Sequence, residues 1–153
     1  MIDWVTARLP CQNSGDICDG KVIKINADDT AIEWTTQTRL SLTGSHDSSI
    51  SIRSVTENTI EISGNPAKFL QGHNLFGSND LRLLMWVFFE TLLSMYDIGL
   101  NPTIQDLQAI KEGRYTVSRV DINETWFLKN RSEVMAWIRA AGQKMSMPYR
   151  GKG

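Results

Sequence analysis

Over residues 39–43, 49–53 and 59–63, apolar and polar positions alternate with a period of two. Leu40 and Leu42 face away from Arg39, Ser41 and Thr43; Ile50 and Ile52 alternate with Ser49, Ser51 and Arg53; Ile60 and Ile62 alternate with Thr59, Glu61 and Ser63. A sheet with one buried and one wet face requires this pattern. Runs rich in β-branched and apolar residues add further segments, so the chain predicts strands over 4–9, 21–26, 31–42, 49–55 and 59–63. Turn residues separate them: Asn13-Ser14-Gly15, Ala27-Asp28-Asp29, Gly44-Ser45-His46-Asp47 and Glu57-Asn58. Connections this short join antiparallel neighbours.

The period changes after residue 64. Pro66 suits the first position of a short helix to residue 70, with Asn65 as its cap and Gly72 as its stop. A longer helix over 79–98 is capped by Ser78 or Asn79; Leu81, Leu84, Met85, Phe88, Leu92 and Met95 form its stripe, which Leu83, Val87 and Phe89 widen. Such a helix belongs across a sheet, at the centre of the core. Pro102 opens a third helix, with Thr103 and Asp106 as a capping box and Gly113 as its end. Residues 115–128 return to a strand pattern, and Asn130 and Glu133 cap a last helix with Val134, Trp137, Ile138 and Ala141 on its apolar stripe and Gly142 as its stop.

The expected fold is therefore α+β, an antiparallel sheet packed against a long central helix. It comprises one domain over 1–144: β-rich at 1–64, helical at 65–112, and a strand-helix pair at 113–144 that ends before anything else pairs with it. Residues 145–153 form a tail without periodicity.

Composition narrows the class without naming a function. At 153 residues, 41% hydrophobic and 22% charged, the chain can bury a sizeable core. Sixteen basic side chains against 17 acidic ones give a net charge of −1, which does not mark a basic nucleic-acid module or a membrane-surface protein. Cys11 and Cys18 make neither a disulfide framework nor a four-ligand zinc site. The longest apolar run, 81–93, is broken by Arg82 and Glu90 and is too short to span a bilayer; no basic-led hydrophobic leader opens the chain. The expectation is a soluble, intracellular protein. Charge is uneven along the chain: residues 1–60 carry 5 basic and 8 acidic side chains, whereas residues 110–153 carry 9 and 4. Counted this way, only the C-terminal third concentrates attraction for phosphate, although a solvated face explains it as well.

Candidate chemistry is sparse. In Ser118-Arg119-Val120-Asp121-Ile122-Asn123-Glu124, strand geometry puts Arg119 and Asp121 on one face with Asn123. A carboxylate there suits a hard metal ion and a guanidinium suits phosphate; an ion pair on a wet face is the plain alternative. Glu124 has the opposite parity and joins Asp121 only through a bulge. His73 and Asn74, in the loop Gln71-Gly72-His73-Asn74, could contact phosphate or merely shape the turn. His46-Asp47 is explained by turn chemistry. Tyr96, Tyr115 and Tyr149 have no neighbouring base, and Cys11 and Ser14 show no triad pattern, so the catalytic residue is unknown at this point.

The run Asn65-Pro66-Ala67-Lys68-Phe69-Leu70-Gln71-Gly72-His73-Asn74-Leu75-Phe76-Gly77 resembles the Pro-Ala-Lys-x-Leu-Gln-Gly-His-Asn-x-Phe-Gly signature of filamentous-phage (Inovirus) gene II/X replication proteins. Met1-Ile2-Asp3 with Arg8-Leu9-Pro10, and Ser118-Arg119-Val120-Asp121, are similar to that family's start and to its Ser-Arg-hydrophobic-Asp motif. The resemblance covers nearly the whole chain and implies phage DNA replication: the N-terminal part of a rolling-circle initiator that nicks the plus strand at the origin with a tyrosine and a divalent ion, Mg²⁺ (or Mn²⁺). It implies Asp121 and Glu124 as metal ligands, Arg119, His73 and Asn74 as DNA or phosphate contacts, and phage origin DNA as partner, without a membrane, in the cytoplasm of the bacterial host and within reach of host replication machinery. Family members continue beyond this length, so the segment bringing the tyrosine is expected outside the chain, and Tyr149 comes too early to stand for it. The alternative is a non-catalytic DNA-binding or regulatory fragment of that initiator.

Overall fold

The computed structural model describes residues 1–28 and 31–144. The tail at 145–153, with Tyr149, and the side chains of His46 and Lys144 lie outside the described residues. The chain divides into two units, Met1–Asn123 and Glu124–Gly153.

The first unit is α+β, as the alternation predicts. Its main sheet has five antiparallel strands in the order β4-β5-β6-β1-β7: β1 (Ile2–Pro10), β4 (Leu40–Thr43), β5 (Ser49–Thr56), β6 (Thr59–Gly64) and β7 (Thr116–Ile122). Strands β2 (Lys21–Ile25) and β3 (Ile32–Gln37) make a separate two-stranded hairpin. The run 31–42, predicted as one strand, is thus two. The chain leaves the hairpin after Gln37 and enters the main sheet at Leu40. Every residue of β2 is exposed, so no buried face disciplines the alternation there.

Val5, Ala7, Leu9, Ile50, Ile52, Ile60 and Ile62 all point to one side of the main sheet and are almost completely buried. Three helices close that side: α1 (Pro66–Gln71), α2 (Leu81–Met95) and α3 (Ile104–Lys111). From α2, Leu84, Met85, Phe88, Phe89 and Leu92 enter the core, and Phe69 of α1 meets Phe88 edge-on at 5.3 Å between ring centres. Leu83, Val87 and Met95 stay exposed, so the apolar stripe is narrower than the sequence suggests.

Local chemistry sets the ends of the helices. Asn65 Oδ1 accepts from the Lys68 amide at 2.8 Å and caps α1, while Gly72 ends it in the left-handed region at φ 79°. The cap of α2 is Asp80, one residue past the predicted pair, because its carboxylate reaches the Leu83 amide at 3.0 Å; Ser78 Oγ instead accepts from the Asp80 amide. Thr103 and Asp106 form the predicted capping box of α3. Gly64 keeps β5 and β6 close, since a Cβ there would stand 2.6 Å from Ile50 Cγ1.

The second unit contains α4 (Arg131–Lys144), capped by Asn130, whose Oδ1 accepts from the Glu133 amide at 3.0 Å. The helix passes through Gly142 rather than stopping there. Val134, Trp137 and Ile138 are exposed. Among the described residues, no helix is long and apolar enough to cross a membrane.

Candidate nucleic-acid interface

The other side of the main sheet is polar. Each strand alternates, so residues between the core positions point outward, and the pairing register lines them up in rows across the strands. One row runs Arg53, Glu61, Arg8, Thr116 over β5, β6, β1 and β7. The next runs Ser41, Ser51, Ser63, Thr6, Arg119, and beyond it Trp4 stands opposite Asp121.

Glu61 organises the first row. Its carboxylate takes Arg39 Nη2 at 2.7 Å, Arg53 Nη2 at 2.9 Å and Arg8 Nε at 3.3 Å. The Glu61 side chain is only 8% exposed, while those of Arg8 and Arg39 are 56% and 42% exposed. Burial alone would raise the Glu61 pKa; the hydrogen bond from Arg39, the charge of Arg53 and the hydrogen bond from Arg8 outweigh it and hold the carboxyl below the ordinary glutamate range. Arg53 also donates to the Gln37 carbonyl at 3.3 Å, at the base of the hairpin. In the second row Thr6 and Ser63 share a hydroxyl hydrogen bond of 2.8 Å.

Arg119 and Asp121 face the same way, as strand parity predicts, and they pair. Arg119 reaches Asp121 through Nε at 2.9 Å and Nη2 at 2.5 Å, and its guanidinium lies over the Trp4 ring, 5.6 Å from the centre. The hydrogen bond from Arg119 is the main cause holding the Asp121 carboxyl below its ordinary range. Glu124 lies past the end of β7 and in the second unit. Of the two irregularities between β1 and β7, the one opposite Asp121 and Ile122 places its extra residue, Asp3, on β1, and the other places Ser118 on β7, so neither inserts a residue between Asp121 and Glu124.

His73 is exposed and meets Phe76 edge-on at 6.4 Å. Asn74 donates to Asp3 Oδ1 at 2.9 Å, and the same oxygen accepts from Asn65 at 2.7 Å. The start of β1 therefore joins two predicted segments: Asp3 holds the Asn74 loop, and Trp4 lies beneath Arg119. Asp3 and the Arg8–Arg39–Arg53–Glu61 group escaped sequence reading. The available signal was that Arg53 and Glu61 are the outward residues of two strands joined by a tight turn.

A divalent ion does not fit this donor set by itself. Both oxygens of Asp121 are engaged by one guanidinium, and among the described residues no three His, Cys, Asp or Glu side chains converge. Nor, among these residues, is a nucleophile poised. The Tyr96 hydroxyl donates to the Thr43 carbonyl, the Tyr115 hydroxyl to the Leu81 carbonyl at 3.5 Å, and burial, followed by the charge of Asp106, pushes the Cys11 thiol up to about 12.

Fold and face together define an α+β domain that offers four guanidiniums against two carboxylates on the open side of its sheet. The sequence profile of the phage replication-associated protein family, gene II type, N-terminal part, matches residues 1–153, and the chain belongs to that family. It is 38% identical over 147 residues to the gene II replication-associated protein of Enterobacteria phage I2-2, a match that covers 92% of this chain and 42% of that protein. The chain thus spans less than half the length of the curated relative it matches. No solved structure matches it.

Proposed function

We propose that this chain is the N-terminal part of a rolling-circle initiator of phage DNA replication, which acts in the bacterial host cytoplasm and contributes contacts to the plus-strand origin. The observation that carries this reading is the family match over the whole chain. The chemistry of the open face agrees with it: guanidiniums on a polar sheet surface suit phosphodiesters. Arg119, His73 and Asn74 are the proposed phosphate contacts of the β7 end. In the nicking reaction proposed for the whole initiator, a tyrosine oxygen would bond to the scissile phosphorus as the P–O3′ bond breaks, leaving a 3′ hydroxyl and a 5′ phosphotyrosine, and a divalent ion, Mg²⁺ or Mn²⁺, would supply polarisation of that phosphate. Asp121 and Glu124, the carboxylates that the resemblance implies for such an ion, do not hold one by themselves, since both Asp121 oxygens are taken by Arg119. Two carboxylates do not make a complete site, so no step is assigned to them.

A second reading, a non-catalytic origin-binding or regulatory fragment, is favoured by one observation: both described tyrosine hydroxyls are committed to backbone carbonyls. Incubating the chain with supercoiled plasmid, with and without the phage origin, in Mg²⁺ separates the two. Origin-dependent nicked circles with protein on the 5′ end support the enzyme. Origin-dependent binding without nicking supports the second reading. Equal behaviour on both plasmids contradicts both.

A further inference from the structure

We infer that the Arg8–Arg39–Arg53–Glu61 cluster is a preformed seat for the phosphodiester backbone of single-stranded DNA, which lies along the hydroxyl row Ser41–Ser51–Ser63–Thr6 towards Arg119 and Trp4. This deepens the origin-binding reading and rests on it.

Three features carry the inference. The first is preorganisation. Free arginines lose rotamer freedom when they bind phosphate. Here Glu61, almost fully buried, already fixes three guanidiniums at 2.7 to 3.3 Å, so that cost is met in folding. The second is residual charge and donors. Three cations on one carboxylate leave a local surplus of two positive charges. Each guanidinium has five N–H donors, of which Arg8 and Arg39 each direct only one at Glu61. Their half-exposed heads leave the others available to oxygens in solvent.

The third is shape. The hydroxyl row has no large side chain between β4 and β1, so it forms a shallow floor beside the arginine row. Strand spacing of about 4.8 Å makes the five-residue row about 19 Å long, and the two rows are about 7 Å apart. A floor of small side chains suits a single strand: its backbone can follow the guanidiniums, and a base can lie on the Arg119 guanidinium that stands over the Trp4 ring.

The test uses the full chain and a fluorescein-labelled oligo(dT), with binding followed by anisotropy across a salt series. Single-stranded binding that contacts phosphates gives log K falling with log salt at about −0.7 per contact. Arg8→Gln, Arg39→Gln and Arg53→Gln should each weaken binding and flatten that slope by about 0.7. Arg8→Lys keeps the charge and should retain the slope while losing affinity, because a point charge replaces a fork. Arg82→Gln, on α2, should bind as the wild type does. Circular dichroism confirms the fold of each variant, and the half-exposed Arg8 keeps the test available if the Arg53 variant unfolds. Wild-type binding that none of the three glutamine variants alters overturns the inference. If the wild type still binds the origin plasmid in that case, the origin-binding reading survives. A wild type that binds origin duplex but not oligo(dT) also overturns the inference alone, and one that binds neither overturns both.

Discussion

The two faces of the main sheet use the same strands for different ends. On β6, Ile60 and Ile62 are completely buried against the helices, and Glu61 between them is nearly as inaccessible, at 6%. The isoleucines are covered by other elements, whereas Glu61 is covered by the arginines of neighbouring strands. Apolar burial is non-directional, and what matters is volume and area. The ionic cover is directional and fixes where three charged groups stand. One face therefore makes the fold, and the other presents a surface.

Substitutions should separate these roles. The largest effect belongs to the core: Phe88→Ala, which removes a fully buried ring and its edge contact with Phe69, should cost about 3–5 kcal/mol in denaturant unfolding. Glu61→Gln should cost less, about 1–3 kcal/mol, because it leaves three guanidiniums without their counter-charge but partly in water. Its effect should also depend on pH. The folded-state pKa of Glu61 lies below its unfolded value, so its ionised form stabilises the fold above the ordinary glutamate value of about 4.3, and this contribution is lost as pH falls through the lower folded value. Urea unfolding at neutral and acid pH should show the wild type and Glu61→Gln converging at acid pH; a gap that stays constant would contradict the pairing.

Much of the first face was legible in the sequence. Ile50, Ile52, Ile60 and Ile62 declare it by alternation, and Asn65, Gly72, Thr103 and Asp106 declare helix ends by local hydrogen bonding that needs no tertiary partner. Legibility failed where local pattern and long-range contact part company. Nothing in 31–42 marks that the strand leaves one sheet for another. Leu83 and Val87 have core chemistry but stay exposed. Gly142 lowers helix propensity by about 1 kcal/mol, too little by itself to end a helix.

The second face was hidden for another reason. Arg8, Arg39, Arg53 and Glu61 come from four places in the sequence, and residues 1–60, counted as a segment, are acidic overall. Charge becomes a surface only after the register of β1, β5 and β6 brings it together. The Arg119–Asp121 pair was readable because both partners lie on one strand.

Smaller effects sharpen the comparison. Asn65→Ala should cost about 1 kcal/mol by removing the cap of α1, together with its hydrogen bond to Asp3. Arg119→Gln should leave the thermal midpoint unchanged, since the pair is exposed.

The most direct test of the two-face account is photo-crosslinking of the chain to single-stranded plus-strand origin DNA carrying 5-iodouracil, with the attached peptides mapped by mass spectrometry. The account predicts adducts on peptides of β1, β5 and β7 that carry Trp4, Arg8, Arg53 and Arg119. Adducts confined to the α2 and α3 peptides, on the closed side of the sheet, would contradict it.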